Sequence, residues 1–518
     1  MDLDVLFIHA PAAVDGARHT LDADVAYTHQ FVAIPIGVYS MADNLEKAGF
    51  RVRILNLGER AWHRPRQSLQ RLVRDALADF QPRLVGLDIH WMIHSAGAVE
   101  TARHIKALRP DIHTVVGGIS ASFFVRDILR HFACIDFVLR GECDDAMVSL
   151  AQFLLRQQGT AASVPNLAWR RGRLIRMNPV QLPRVEDTLE LTRYDLLADR
   201  PKINPDRALI SFLRGCFRNC CHCAGSRDSF GHVMSRQVPC MIAPETLVTL
   251  MVRNHEKQRD KIYLYGDIRM GGPGYVKRFF QALNRSGLTG CHVVIEFFDL
   301  ATADYVRQWQ RWAQRTGNTL EATHSPESGN RKLRALFDKA YTNEALLDHC
   351  RLLAAHDIPQ SVYFLLGLPN QTREEVEETL VLAGQIVDIF AEKFKKHHLR
   401  HDIVSYNFMQ IPDAGSLMFR YPKRYGIQLA FHTFPELVRR LLYARHWSQA
   451  IGFKTRHMSP RDLVLTFYEI QKRILDIYRD HGVVPEHSRR QTLNYLRRDL
   501  QVYESLKKDN NSGNVLNS

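Results

Sequence analysis

The stretch Leu213–Gly225, LRGCFRNCCHCAG, places four cysteines within eight positions of a 518-residue chain that has nine in all. Cys216, Cys220 and Cys223 follow a C-x3-C-x2-C spacing, with Cys221 as an extra thiol. Structural zinc takes four ligands, usually as two separated pairs. No second pair follows, because Cys240, Cys291 and Cys350 each stand singly. Recruiting Cys221 or His222 is sterically awkward, since chain neighbours rarely both reach one metal. Three thiolates on one loop can instead hold a cubane iron–sulfur cluster with one iron left unligated by protein. Such an open iron can bind a second molecule as well as pass an electron. The spacing favours the cluster over zinc.

The elements that must carry this loop follow from hydrophobic patterning. DVLFIHAP, RVRILNLG, RLVGLDIH, HTVVGGIS and IDFVLRGE read as five short buried strands within the first 158 residues. Helical stretches separate them; in SLQRLVRDALADF, Leu69, Leu72, Val73, Ala76, Leu77 and Phe80 share one face. Strands alternating with crossover helices predict a doubly wound parallel sheet, a Rossmann-like α/β domain over 1–158. No G-x-G-x-x-G follows the first strand, so the dinucleotide fingerprint is missing. Residues 159–206 read as a linker with a small hairpin turning at RRGR. The alternation restarts over 207–405, in about six strand–helix units, which predicts an open or partial (β/α)6 barrel of TIM type with its chemistry at the strand C-terminal ends. Residues 406–505 read as mainly helical, and 506–518 as a disordered polar tail.

Composition bounds the setting. Hydrophobic residues make up 45% and charged residues 24%, the profile of a soluble protein, and no apolar run is long enough to span a bilayer. The N-terminus lacks the basic-then-apolar layout of a signal peptide. An odd number of closely spaced cysteines argues against a disulfide framework, so a reducing cytoplasm is expected. Lys plus Arg exceed Asp plus Glu by 14, but no long basic run stands out, and nucleic acid is not expected as a partner.

C-x3-C-x2-C at the end of a barrel's first strand resembles the signature of the radical S-adenosylmethionine (SAM) superfamily. The resemblance implies a 4Fe-4S cluster on Cys216, Cys220 and Cys223, with SAM chelated to the open iron. His222 stands where an aromatic commonly precedes the third cysteine. YLYGD, with Gly266 and Asp267, stands where the family receives the methionine amino group, aspartate replacing the usual glutamate. SPESG resembles the motif whose Ser325 and Glu327 would hydrogen-bond SAM. GLPNQT, beginning at Gly367, resembles the turn near the adenine, and IPDAGS, Ile411–Ser416, a loop closing the barrel mouth.

The first domain carries a second resemblance. VVGGISASFF followed by IDFVLRGECDDAMVSL is similar to the cobalamin-binding module of cobalamin-dependent radical SAM enzymes. The histidine-supplying motif D-x-H-x-x-G is only half matched by Asp88-x-His90, because Ile93 occupies the glycine position. The implied cofactor is therefore base-off cobalamin without a histidine ligand. Its implied contacts are His9, His90, Trp91, Ser95, Gly117, Gly118, Ser120, Ser122, Gly141 and Glu142. The C-terminal segment from Tyr425 onward, which begins YGIQLAFHTF, is more loosely similar to the clorobiocin-type pyrrole C-methylase branch.

Together these resemblances imply a radical SAM C-methyltransferase carrying a methyl from SAM, through methylcobalamin, to a carbon of a small biosynthetic intermediate. An electron donor such as flavodoxin or ferredoxin is implied as a partner. No catalytic side chain is required, because the cofactors carry the chemistry. Cyclisation, rearrangement or dehydration on the same cofactors stays open as the alternative.

Overall fold

A computed structural model describes residues 2–12, 33–183, 193–202, 205–397 and 403–512. Its first sheet holds β1 (Val5–His9), β2 (Val52–Asn56), β3 (Leu84–Asp88), β4 (His113–Gly117), β5 (Phe137–Leu139), β6 (Leu167–Arg171) and β7 (Leu174–Met177). The order is β2-β1-β3-β4-β5-β6-β7, with the first five parallel and β6–β7 an antiparallel hairpin at the edge. β1 and β3 are buried along their whole length, as strands covered on both faces must be. The helix Leu69–Phe80 buries the stripe that its spacing predicts, and Ser68 caps it by accepting the Arg71 N–H. Chain order reverses between β1 and β3, the switch point where open α/β sheets leave a crevice. The hairpin within 159–206 thus extends this sheet instead of standing apart from it.

The second sheet is wholly parallel. It comprises β8 (Arg207–Ser211), then, after the short pair β9 (Leu213–Arg214) and β10 (Cys240–Met241), β11 (Lys261–Tyr265), β12 (His292–Phe297), β13 (Thr319–Glu327), β14 (Gln360–Leu366) and β15 (Val404–Phe408). The six run in chain order from β8 to β15, which leaves those two at the edges. One set of alternate residues, including Ala208, Ile210, Ile262, Leu264, Val293 and Ile295, is buried in the core shared with the helices. The other set, including Ser211, Tyr263, Glu296, Ser325 and Tyr363, turns to the opposite, inner face and is less buried. This is the expected partial barrel. The sixth strand, β15, crosses the boundary drawn at 405, because a five-residue strand followed by a helical region leaves little alternation to read.

Beyond β15, a small pair of strands, β16 (Ile427–Leu429) and β17 (Phe453–Thr455), accompanies helices Phe434–Tyr443, Pro460–Asp480 and Glu486–Ser512. Asp499 fixes this region by accepting from Trp447 Nε1 at 2.9 Å and from the Tyr468 hydroxyl, with His446 at 3.2 Å. The last helix continues through Ser512, so the tail expected from 506 is helical up to there, and 513–518 lie outside the described residues. Phe434 N donates to Asp127 at 3.0 Å and its ring meets Phe124, which fastens the C-terminal region to the first domain.

Candidate functional site

The cysteine loop leaves β9 and runs into the helix Arg227–Met234. Burial pushes the thiols of Cys216, Cys220 and Cys223 upward, Cys220 to about 11. Cys220 and Cys216 both act on Cys223, so the three sulfurs are close enough to interact. Yet they do not form a group whose ligand atoms all lie within 4.8 Å of one another. A single tetrahedral zinc, at about 2.3 Å per thiolate, needs sulfurs nearer than that. Separate corners of a cluster do not, and burial holds all three thiols up even though Lys339 acts on Cys216 and Cys220 in the opposite sense, which leaves room for iron to supply further positive charge. Cys221 is 1% exposed and packed into the core, with its backbone N–H on Leu336 O and its carbonyl accepting from Met418 N. The donor set therefore fits a three-thiolate cluster with Cys221 outside it.

Around the loop stand the residues proposed for SAM. His222 stacks edge-on to Phe337 at 5.1 Å, and its buried Nδ1 has no hydrogen-bond partner. Glu327 follows a bulge in β13 with φ +68°, and Lys339 Nζ meets its carboxylate at 2.9 Å while also donating to Ser325 O. Burial would lower the Lys339 ammonium, but Glu327, Cys220 and Glu296 hold it above its ordinary value. The Asp267 carboxylate is already engaged: Arg269 Nε donates to it at 2.9 Å and Phe298 N at 3.0 Å. Glu296 is instead the carboxylate beside Gly266, whose N–H it accepts at 2.7 Å. Burial raises it to about 7, with Asp267 and Glu327 adding to the rise and the Gly266 bond opposing it. Gly367, at the end of β14, donates to Gln371 at 2.9 Å. Asp413 of the IPDAGS loop accepts the Ala224 N–H at 3.1 Å, tying that loop to the cysteine loop. Motif spacing singles out neither Lys339, which reaches Glu327 across 12 residues, nor Glu296, which reaches Gly266 across 30.

The first domain's strand ends are differently built. His9 Nδ1 lies 2.9 Å from Asp88 and 4.6 Å, ring to ring, from His94, which donates to Ala10 O at 2.8 Å. Burial alone would raise Asp88, but His9, His94 and His90 hold it below the usual carboxylate range. Burial lowers His90 to about 4, and its ring abuts Trp91 at 4.8 Å. Ser120 and Ser122 donate to the His90 and Gly118 carbonyls, and Ser122 accepts from Gly141 N. Ser95 is fully buried and its hydroxyl has no hydrogen-bond partner. Gly118, following Gly117, has φ +103°, and a Cβ there would fall 2.8 Å from His90 Cα and N. The glycine therefore lets the turn after β4 pack directly on the backbone of the loop after β3, which brings the ends of these two neighbouring strands together. Glu142 is drawn elsewhere: Arg236 binds both its oxygens, and Arg214 bonds the adjacent Asp144 at 3.0 Å.

Those ion pairs join the two strand-end regions. A small core of Ile119, Ala224, Val233 and Met234 does the same, with Phe123 and Phe230 against it. Ile119 follows Gly118, and Ala224 follows Cys223. The glycine turn and the cysteine loop are therefore neighbours.

Known proteins agree with this layout. Residues 24–151 match the B12 binding domain and residues 210–383 the Radical SAM superfamily. Hopanoid C-3 methylase of Methylococcus capsulatus is 30% identical over 207 residues, 38% of this chain and 37% of that protein. The chain thus spans little more than a third of that relative's length. Anaerobic magnesium-protoporphyrin IX monomethyl ester cyclase of Rubrivivax gelatinosus is 23% identical over 403 residues, covering 70% and 69% of the two chains. The fold is shared with the radical SAM methyltransferase TsrM of Kitasatospora setae, solved with cobalamin and a [4Fe-4S] cluster, at TM-score 0.63, 14% identity and 97% and 100% coverage. It is shared as well with the cobalamin-dependent SAM radical enzyme OxsB, at TM-score 0.60, 12% identity and 98% and 72% coverage. The chain thus carries a B12 binding domain followed by a radical SAM domain.

Proposed function

We propose that the protein is a C-methyltransferase acting on a small molecule. The observation that carries the reading is the shared core of Ile119 and Ala224, which sets the cysteine loop against the glycine turn. A methyl donor in one domain and a radical generator in the other can serve one carbon only from such adjacency. When bound, the cluster, SAM and cobalamin supply a carbon radical and a methyl group. The methylase among the relatives supports this choice of reaction.

The chain's own residues bind and orient. Cys216, Cys220 and Cys223 would hold the cluster, and His222, Gly266 and Gly367 would line the SAM site. Lys339 neutralises Glu327 and fixes the Ser325 carbonyl, which sets the β13 bulge toward the cluster. Glu296, which already accepts the Gly266 N–H, can accept a hydrogen bond from an ammonium, and we assign it, ahead of the engaged Asp267, to the methionine amine. Gly117, Gly118, Ser120, Ser122, His90 and Trp91 would hold the corrin. Tyr263 and Thr323, hydroxyls 3.1 Å apart on the inner face, would meet a polar part of the substrate. An electron donor such as flavodoxin or ferredoxin would serve the cluster, in a reducing cytoplasm. Among the described residues no helix is long and apolar enough to cross a membrane.

Mass spectrometry of candidate substrates after anaerobic incubation with methyl-labelled SAM tests the reading. A labelled product accompanied by one S-adenosylhomocysteine per turnover is expected. Product without S-adenosylhomocysteine would replace methylation with cyclisation, rearrangement or dehydration.

A further inference from the structure

We propose that His255, Asp260 and Cys291 form a separate zinc site on the face of the barrel opposite the cysteine loop. His255 lies near the end of the helix Pro244–Glu256, Asp260 directly precedes β11, and Cys291 directly precedes β12. Asp260 and Cys291 therefore sit at strand N-terminal ends, with the end of the helix beside them. A strand of five residues, at about 3.3 Å each, holds them roughly 15 Å from the cluster loop. One ligand atom from each lies within 4.8 Å of the others. His255 Nδ1 is 2.7 Å from Asp260 Oδ1 and 3.3 Å from Cys291 Sγ.

Two simpler accounts leave something unexplained. In a nucleophile–base–carboxylate relay the imidazole uses its two nitrogens on opposite partners. Here both contacts fall on the same nitrogen. In a hydrogen-bonded cluster, the Nδ1 proton goes to the carboxylate and the Cys291 thiol to Thr289 O at 3.8 Å, which leaves the 3.3 Å approach of Sγ to Nδ1 without a proton of its own. A dication satisfies the three lone pairs at once, the thiol proton passing to solvent as the Zn–S bond forms. One thiolate, one imidazole and one carboxylate is a donor set that zinc accepts. Cys291 is 2% exposed, whereas the side chains of His255 and Asp260 are 35% and 52% exposed, so water can complete the tetrahedron from the open side.

The backbone around the site is already fixed. Asn318 accepts the Cys291 N–H at 2.7 Å, Asp260 O accepts His292 N at 2.9 Å, and Gln258 N donates to His255 O at 2.8 Å. An ion there would staple the end of a helix to the starts of two neighbouring strands. It would bind the folded chain and stabilise it by mass action.

The test uses anaerobic holoprotein, loaded with cluster and cobalamin, equilibrated with a slight excess of zinc and passed through gel filtration. Zinc, iron and cobalt are then counted, and the zinc ligands are read by X-ray absorption. About one zinc per chain is expected, with one sulfur and otherwise nitrogen or oxygen neighbours. His255→Ala, at a half-exposed position, should reduce retained zinc to background and leave iron and cobalt unchanged. Cys291→Ala should do the same. Wild-type protein that retains no zinc overturns the proposal, as does zinc held equally by both variants. Zinc ringed by several sulfurs overturns it too, and would place the ion on the cysteine loop in place of the cluster.

Discussion

The two strand-end regions that meet across the domain boundary are built in opposite ways. In the first domain several polar side chains are held within the protein, His9 by Asp88, His94 by the Ala10 carbonyl and Ser122 by Gly118 and Gly141, with the buried Ser95 hydroxyl an exception. What such an arrangement offers a ligand is mainly backbone and small side chains around Gly117 and Gly118. In the barrel the side chains themselves are left expectant, with buried thiols, a carboxyl raised to about 7 and an unpartnered His222 Nδ1. A large rigid cofactor needs a surface with nothing in the way, whereas a cluster and a zwitterion need ligands and charges. The same strand–helix repeat serves both, because the difference lies only in which residues end the strands.

Four experiments break or sharpen that contrast. The largest effect falls on the thiols. Cys220→Ala should reduce bound iron and 5′-deoxyadenosine formation to background, while Cys221→Ser keeps both; equal loss from the two would remove the distinction. Next, Lys339→Met strips the cation from buried Glu327, and breaking a buried pair this way costs about 3–5 kcal/mol. Chemical denaturation should show it, and adding Glu327→Gln should recover part. Gly118→Ala forces a side chain into the His90 backbone at φ +103°, at a cost of about 1–3 kcal/mol. Cobalamin retention should fall while iron per chain stays constant; loss of both would mean that the two regions are not independent. The smallest effect is one of pH. Glu296 titrates near 7 in the folded chain against an ordinary 4.5, so between those values the folded state keeps a proton that the unfolded state has lost. The stabilisation it contributes is fully present below that window and disappears as pH rises through it. Denaturation midpoints taken across the window in cofactor-free protein should fall with pH, and Glu296→Gln should flatten the slope.

Most of the fold was legible because parallel strands between helices write themselves as apolar runs and stripes, as Leu69–Phe80 does. The cysteines proposed for the cluster were legible because they fall on one loop. Pairings between distant positions were not. Nothing local reports that Arg236 takes up Glu142 across 94 residues, or that Glu296 reaches Gly266 across 30. Asp267 matched a motif by position, yet its carboxylate is spent on Arg269 two residues on. His255, Asp260 and Cys291 converge only because two adjacent strands begin side by side.

The hydrogen bonds from Ala224 to Asp413 and from Met418 to Cys221 link the loop after the first barrel strand to the loop after the last. Among the described residues β8 and β15 have no neighbour beyond them, so loops, not strand pairing, link the two edges. Loosening those loops would thus leave two strand edges with unsatisfied amides on offer to other molecules.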